Sequence, residues 1–245
     1  MNATSLSPSF TIVRSGERAH ADHGWLDTYY SFSFADYVDP ANLNWGALRV
    51  FNDDTIAPAA GFPPHPHRDM EIVTYVLSGE LAHRDSIGNH GVVKPGGIQF
   101  MSAGTGVRHS EYNNSASEPL HLVQMWVIPG CIGTTPSYGE MAFDEAQRRN
   151  RWLSVVSGMP AVEAPIRITQ NAALRVARLE NAALALDFEP QRYGYLFVAE
   201  GSVRANGEAL KAGDSVRFYD MPRLGVEGEG ELVLWDLPAL NDDAV

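Results

Sequence analysis

Short runs in which apolar and polar residues alternate, each cut off by Gly, Pro, Asn or Asp, fill most of this chain. In the first half they cover residues 47–51, 71–77, 79–84, 98–102, 107–112 and 120–128. In the second half they cover 167–169, 174–179, 182–188, 195–199, 202–210, 215–219 and 231–237. A period of two is that of a strand with one buried face, and short strands at this spacing build sandwiches or barrels. The 22 Gly and 15 Pro supply the turns. Asn206-Gly207, between two such runs, is a two-residue hairpin signal, because both positions tolerate positive φ. Helical periodicity is scarce. Its best candidate is 143–151, where Asp144 can cap the start and Arg148, Arg149 and Arg151 suit the negative end of the helix dipole.

The Gly/Thr/Pro-rich stretch 130–139 reads as a linker. It divides the chain into a first domain, 1–136, and a second, 137–245. The halves share an order of punctuation. Thr74-Tyr-Val-Leu-Ser-Gly79 is echoed by Tyr195-Leu-Phe-Val-Ala-Glu-Gly201, and Val93-Lys-Pro-Gly-Gly97 by Leu210-Lys-Ala-Gly-Asp214. This points to a duplicated small barrel, an all-β chain.

Thirty acidic against eighteen basic residues give a net charge of −12. Such a field repels phosphates and argues against nucleic acid as a partner bound by bulk charge. No apolar run reaches the roughly 18 residues of a membrane-spanning helix. The first residues show no basic start followed by an apolar core, and Cys131 is a lone thiol. The expectation is a cytoplasmic protein without disulfides.

All eight histidines lie at or before His121, so imidazole chemistry belongs to the first half. Two clusters stand out, Gly61-Phe-Pro-Pro-His65-Pro-His67-Arg-Asp-Met-Glu71 and Ala103-Gly-Thr-Gly-Val-Arg-His109-Ser-Glu111-Tyr-Asn-Asn114. Prolines 63, 64 and 66 forbid a helix, and in an extended chain His65 and His67 point to one side. Glu71 joins them if the strand stays regular. In the second cluster Val107, His109 and Glu111 share a face, opposite Arg108, Ser110 and Tyr112. Three imidazoles with a carboxylate suit Fe, Mn, Co, Ni, Cu or Zn, and suit Ca or Mg poorly. Spacing alone leaves Glu71 and Glu111 both open as the carboxylate. The other histidines read as ordinary: His20 and His23 solvated, His83 and His90 exposed beside the turn at 85–88, His121 partly buried and hydrogen-bonded. Cys131 reads as a spare thiol, and Trp126 and Trp235 as core.

His65-Pro-His-Arg-Asp-Met-Glu-Ile-Val-Thr-Tyr75, then His83-Arg-Asp-Ser-Ile-Gly88, then Gln99-Phe-Met-Ser-Ala-Gly-Thr-Gly-Val-Arg-His-Ser-Glu111 resemble the pirin family of cupins. The resemblance is dense over about residues 24–129. Asp69-Met70 and the short second half are more similar to bacterial pirin-like quercetin 2,3-dioxygenases than to the longer eukaryotic pirins. The resemblance implies two jelly-roll-like cupin barrels, with one divalent transition metal, Fe(II) by preference, in the first barrel only. Its pattern puts the ligands on His65, His67, His109 and Glu111. Cupins in general take the carboxylate from the first motif, here Glu71, which leaves Glu71 as a neighbour of the ligand shell.

Three functions follow from that resemblance and the charge pattern. The leading one is a metal-dependent dioxygenase that opens a flavonol such as quercetin with O2 and releases CO, with Glu111 as ligand and base. Its partners are a small aromatic substrate and O2, and a monomer is expected, since two barrels in one chain can pack on each other. The alternative is a metal-binding regulator of pirin type that acts through a protein partner. The third, a sugar-phosphate isomerase, needs basic residues in the pocket; only Arg68, Arg84 and Arg108 are near, and parity turns Arg108 away from His109.

Overall fold

The computed structural model describes residues 7–240. The strands of the first half are β1 (Ser9–Val13), β2 (Ala19–Asp22), β3 (Leu26–Tyr30), β4 (Leu48–Ile56), β5 (Gly61–His67), β6 (Glu71–Ser78), β7 (Leu81–Asp85), β8 (His90–Val93), β9 (Ile98–Ser102), β10 (Val107–Asn113), β11 (Leu120–Val127) and β12 (Ser137–Met141). Then come α1 (Glu145–Arg148) and β13 (Leu153–Ser157), β14 (Ile166–Arg167), β15 (Ala173–Asp187), β16 (Tyr193–Ala205), β17 (Glu208–Lys211), β18 (Ser215–Tyr219) and β19 (Arg223–Leu237). The chain is all-β, as its alternation requires. The expected helix at 143–151 shrinks to one turn. Asn150 takes a left-handed φ of 52°, and its N–H donates to Arg178 O at 2.7 Å, so the chain leaves the helix to join β15.

Contacts divide the chain into two compact units, neither continuous in sequence. One takes residues 18–144 and 166–170; the other takes 145–165, 171–240 and the described residues before Arg18. β1 thus belongs with the second half, where it pairs antiparallel with β18, from Ser9 opposite Tyr219 to Val13 opposite Ser215. Arg14 Nη1 and the Ser15 N–H both donate to the Asp214 carboxylate, at 2.9 and 2.8 Å. β12 pairs with β9, so the first-half unit runs past the 136/137 division and part of the expected linker is strand.

The first-half unit has two antiparallel sheets. One runs in the order β12-β9-β6-β11-β4-β3-β2 and the other in the order β5-β10-β7-β8. Register lines up Tyr30, Asn52, Gln124, Thr74 and Gln99 in one row of the larger sheet. The amides of Gln99 and Gln124 reach Glu111 on β10, so this row faces the barrel interior. On one side of the row Leu26, Ile56, Val76, Leu81, Val93, Leu120 and Leu122 form an apolar floor. On the other, Ile72, Met101, Ala103 and Val107 form an apolar rim, with Met70 and Trp126 against them. The interior is layered, with polar chemistry held between two hydrophobic belts.

The second-half unit is one sheet in the order β1-β18-β16-β19-β15-β13, with β17 on β16. Register breaks at Leu179/Ala182 and Val198/Glu200 bend the long strands around a core. That core is apolar, with Leu179, Leu196, Val198, Val216, Phe218 and Leu234 among its members. Each such side chain contributes about 1.5–3 kcal/mol on full burial. Asn206 and Gly207, at φ 47° and 88°, make the expected hairpin between β16 and β17.

Candidate metal centre

Pairing of β5 with β10 puts His65 directly opposite His109 and His67 opposite Val107. Donor atoms of His65, His67 and His109 all lie within 4.8 Å of one another. His65 Nε2 and His109 Nε2 are 3.0 Å apart. Two cis ligands about 2.1 Å from one first-row ion stand about 3 Å apart. The Pro63 carbonyl lies 2.8 Å from His65 Nδ1. A carbonyl only accepts, so Nδ1 carries the proton and the Nε2 lone pair is left to face His109. The prolines that kept this segment extended therefore also set a tautomer.

Glu111 follows His109 across a register shift in β10 and is 2% exposed. Gln99 Nε2 donates to its Oε1 at 2.5 Å, and Gln124 Nε2 donates to its Oε2 at 2.9 Å. Two neutral amides satisfy the lone pairs without cancelling the charge, and a buried uncompensated charge is costly. A cation beside Glu111 would supply the balance. The donor set of three imidazoles and a carboxylate fits a divalent first-row ion.

Burial, reinforced by the neighbouring histidines, pushes His109 down to about 3 and His67 down to about 4. Both imidazoles are neutral at physiological pH, the form that binds a metal without first losing a proton.

Glu71 is the open carboxylate that the structure takes elsewhere. Asp69 adopts a left-handed φ of 46°, its N–H donating to Gly104 O at 2.9 Å and its Oδ1 accepting from Gly133 N at 2.7 Å. The strand therefore does not stay regular beyond His67, and the parity that aligned Glu71 with the histidines is lost. Glu71 Oε1 accepts from Thr169 N at 2.6 Å and Thr169 Oγ1 at 2.9 Å, and its Oε2 accepts from Gln170 N at 3.3 Å. It anchors the 166–170 segment to its unit. Burial raises its pKa above the ordinary carboxylate value, while these hydrogen bonds work in the opposite direction.

His83, expected to be exposed, is 3% exposed and lies in the cluster. Leu81, His83 and Asp85 share the inner face of β7, and Glu111 pairs with His83 across the ladder. A second group of donors, from His83, His109 and Glu111, also falls within 4.8 Å. His83 Nδ1 is 3.5 Å from His109 Nδ1, and His83 Nε2 is 3.4 Å from Asp85 Oδ2. Tyr138 of β12 stacks on the His83 ring at 4.2 Å and 17°. Despite burial, hydrogen bonds from Asn89, His83 and Ile87 hold Asp85 below the usual carboxylate range. Burial, together with the Glu140 carboxylate that accepts from its hydroxyl, pushes the Tyr138 phenol up.

Trp126, expected in the core, stands edge-on to His67 at 4.8 Å and donates from Nε1 to Gln124 Oε1 at 3.2 Å. Gln99 and Gln124 were not singled out in the sequence, although a glutamine inside an apolar strand is a signal of a buried polar role. His121 is partly buried and meets Asp53 Oδ1 at 2.7 Å, as expected, and His90 and Cys131 are exposed. Arg108 points outward, and its Nη2 donates to Pro64 O at 2.9 Å. A cleft of about 450 Å³ opens beside His67, lined by Pro66, Arg68, Ser86, Thr105, Val107 and Arg108. A cleft of about 1010 Å³ lies in the second-half unit and is lined by no histidine.

Two barrels in one chain, with histidines and a carboxylate gathered inside the first, define a bicupin with a metal-type centre. The chain belongs to the pirin family, whose profile it matches over residues 11–127; residues 154–234 match the quercetinase C-terminal cupin domain. It is 41% identical to a quercetin 2,3-dioxygenase of Escherichia coli over 93% of this chain and 98% of that protein. It is 44% identical to a pirin-like protein of Caulobacter vibrioides over 88% of this chain and 94% of that one. The crystal structure of the bacterial pirin YhhW from Escherichia coli in complex with nickel(II) has a TM-score of 0.88 to it at 38% identity, covering 95% of this chain and 100% of that chain. Among the described residues no helix is long and apolar enough to cross a membrane.

Proposed function

We propose that this protein is a metal-dependent dioxygenase that opens a flavonol such as quercetin with O2, giving a ring-opened depside and CO. One observation carries the reading: His65 Nε2 and His109 Nε2 stand 3.0 Å apart within reach of His67, with a buried, charge-uncompensated Glu111 on the same strand as His109. His65, His67, His109 and Glu111 would hold one divalent ion, iron(II) by the chemistry of O2. The nickel in the YhhW complex supports a divalent ion at this site, and the name of the Escherichia coli relative supports the activity.

When bound, the ion would supply Lewis acidity that makes the 3-hydroxyl proton of the substrate easier to remove. The rest falls to the chain. Glu111 takes the 3-hydroxyl proton, which makes the flavonol ring electron-rich toward O2. Gln99 and Gln124 hold that carboxylate in one orientation and return their donors to it as its charge changes. The rim of Ile72, Met101, Val107 and Trp126 offers flat apolar surface for the aromatic rings and keeps water from the reacting carbon. The soluble cytoplasmic monomer expected from sequence is consistent with this role.

The phosphate-isomerase reading lacks a basic group in the interior, since Arg108 is turned out onto Pro64 and Arg68 meets Asp69. The regulator reading keeps the metal and drops the turnover. Aerobic incubation of metal-loaded protein with quercetin separates the two. O2 consumption with CO release supports the dioxygenase, and full metal loading without turnover of any flavonol supports the regulator.

A further inference from the structure

The histidine of the His83-Arg-Asp-Ser block has no part in the proposed ligand set, yet it is fully enclosed and in contact with a member of it. Its neighbours limit where its protons can sit. Two Nδ1 atoms face each other, His83 against His109, at 3.5 Å. In a hydrogen bond between them one carries the proton and the other a lone pair. His83 Nε2 faces Asp85 Oδ2 at 3.4 Å. Asp85 is itself fixed: Ile87 N and Asn89 N donate to its Oδ1 at 3.0 and 2.9 Å, and Asn89 Nδ2 donates to its Oδ2 at 2.8 Å. Surrounded by donors, it can only accept from His83. The His83 proton is thereby drawn to Nε2, its Nδ1 is left as an acceptor, and the facing Nδ1 of His109 must donate. His109 Nε2 is then a lone pair, aimed at His65 Nε2 3.0 Å away.

The opposite arrangement, with His83 Nδ1 donating, turns a His83 lone pair onto a carboxylate and gives His109 Nε2 a proton. That proton would sit where an ion has to sit. Tyr138, stacked on His83, keeps the ring plane in line with both partners.

We infer that Asp85 and His83 are positioning residues, which lock His109 in the tautomer that presents Nε2 to the metal centre. The inference rests on the reading of His109 as a ligand. It adds a role for two residues outside the ligand set, one that follows from the proton count on each ring nitrogen.

The test is made first on metal-free full-length protein with 15N-labelled histidine, by long-range 1H–15N correlation NMR near pH 7. Expected is His109 protonated at Nδ1 and His83 at Nε2. The reverse pattern overturns the inference without touching the metal assignment. Nickel(II) affinity is then measured by chelator competition. His83→Phe removes the acceptor, so a mixed His109 tautomer and an affinity about 10–100-fold lower are expected. His83→Gln restores an acceptor oxygen, so both the tautomer and most of the affinity should return. Unchanged tautomer and affinity in His83→Phe overturn the inference. Loss of affinity in His83→Gln as severe as in His83→Phe also overturns it, because it would make His83 a ligand. Wild type with the expected tautomers but no nickel binding would contradict the metal proposal and leave the tautomer lock standing.

Discussion

His65 and His109 are cross-strand partners whose Nε2 atoms stand 3.0 Å apart, one on the proline-stiffened β5 and one on β10. Neither strand alone makes a site. The ladder between them does, because its register converts two sequence clusters 44 residues apart into one pair of donors. His65→Ala, His67→Ala and His109→Ala should each lose bound transition metal, since the remaining ligands bind more weakly. Metal analysis after dialysis reads this. Full retention in all three variants would contradict the assignment.

The two carboxylates should separate cleanly. Glu111→Gln removes the buried negative charge, so metal affinity should fall by more than the roughly 10–100-fold typical of residues that only support a ligand, and turnover should stop. Glu71→Gln should keep one metal per chain, because Glu71 is engaged by Thr169 and Gln170. It should instead cost about 1–3 kcal/mol of stability, because an amide cannot accept from both backbone donors. Denaturant melts alongside metal analysis distinguish these outcomes.

Much of this centre was legible before the structure. Alternation in 107–112 put His109 and Glu111 on one inward face, and the buried and exposed positions of β10 follow it. The Glu71 question was not legible, because it turned on a single left-handed residue, Asp69, whose conformation is set by Gly104 and Gly133 far along the chain. His83 was misread for a related reason. Its polar neighbours suggested a turn, but the turn begins only after Asp85, and His83 keeps the inward parity of Leu81. The pairing of β1 with β18 was also hidden, since a five-residue alternation states which face is buried and not which strand is the partner.

Asp54 gives a pH signature that can be read on the metal-free protein. It lies in the interior of the first-half unit, with Oδ1 lacking a hydrogen-bond partner among the described residues. Burial, with the charges of Asp53 and Glu111 adding to it against Thr28 and His121, raises it from 3.8 to about 7. Its folded-state value lies above the unfolded one, so its protonated form favours the fold. Stability should therefore decline as pH rises from about 4 through 7. Across three pH units, at about 1.4 kcal/mol each, the loss reaches up to about 4 kcal/mol. Asp54→Asn mimics the protonated acid. It should match wild type near pH 4 and melt higher than wild type at pH 8. Equal melting temperatures at pH 8 would contradict this.

Trp126 should report occupancy. Its ring is 4.8 Å from His67, close enough for a bound transition ion to quench its emission. Titration with nickel(II) should quench fluorescence and saturate at one equivalent, and Trp126→Phe should remove most of the change. Undiminished quenching in that variant would put the ion elsewhere.

The most direct measurement is an anomalous-scattering map of the metal-loaded protein, collected on both sides of the absorption edge of the added metal. The account predicts one peak per chain, about 2.1 Å from Nε2 of His65, His67 and His109 and from a Glu111 carboxylate oxygen. A peak coordinated by His83 with His109 and Glu111, or one in the second barrel, would contradict it.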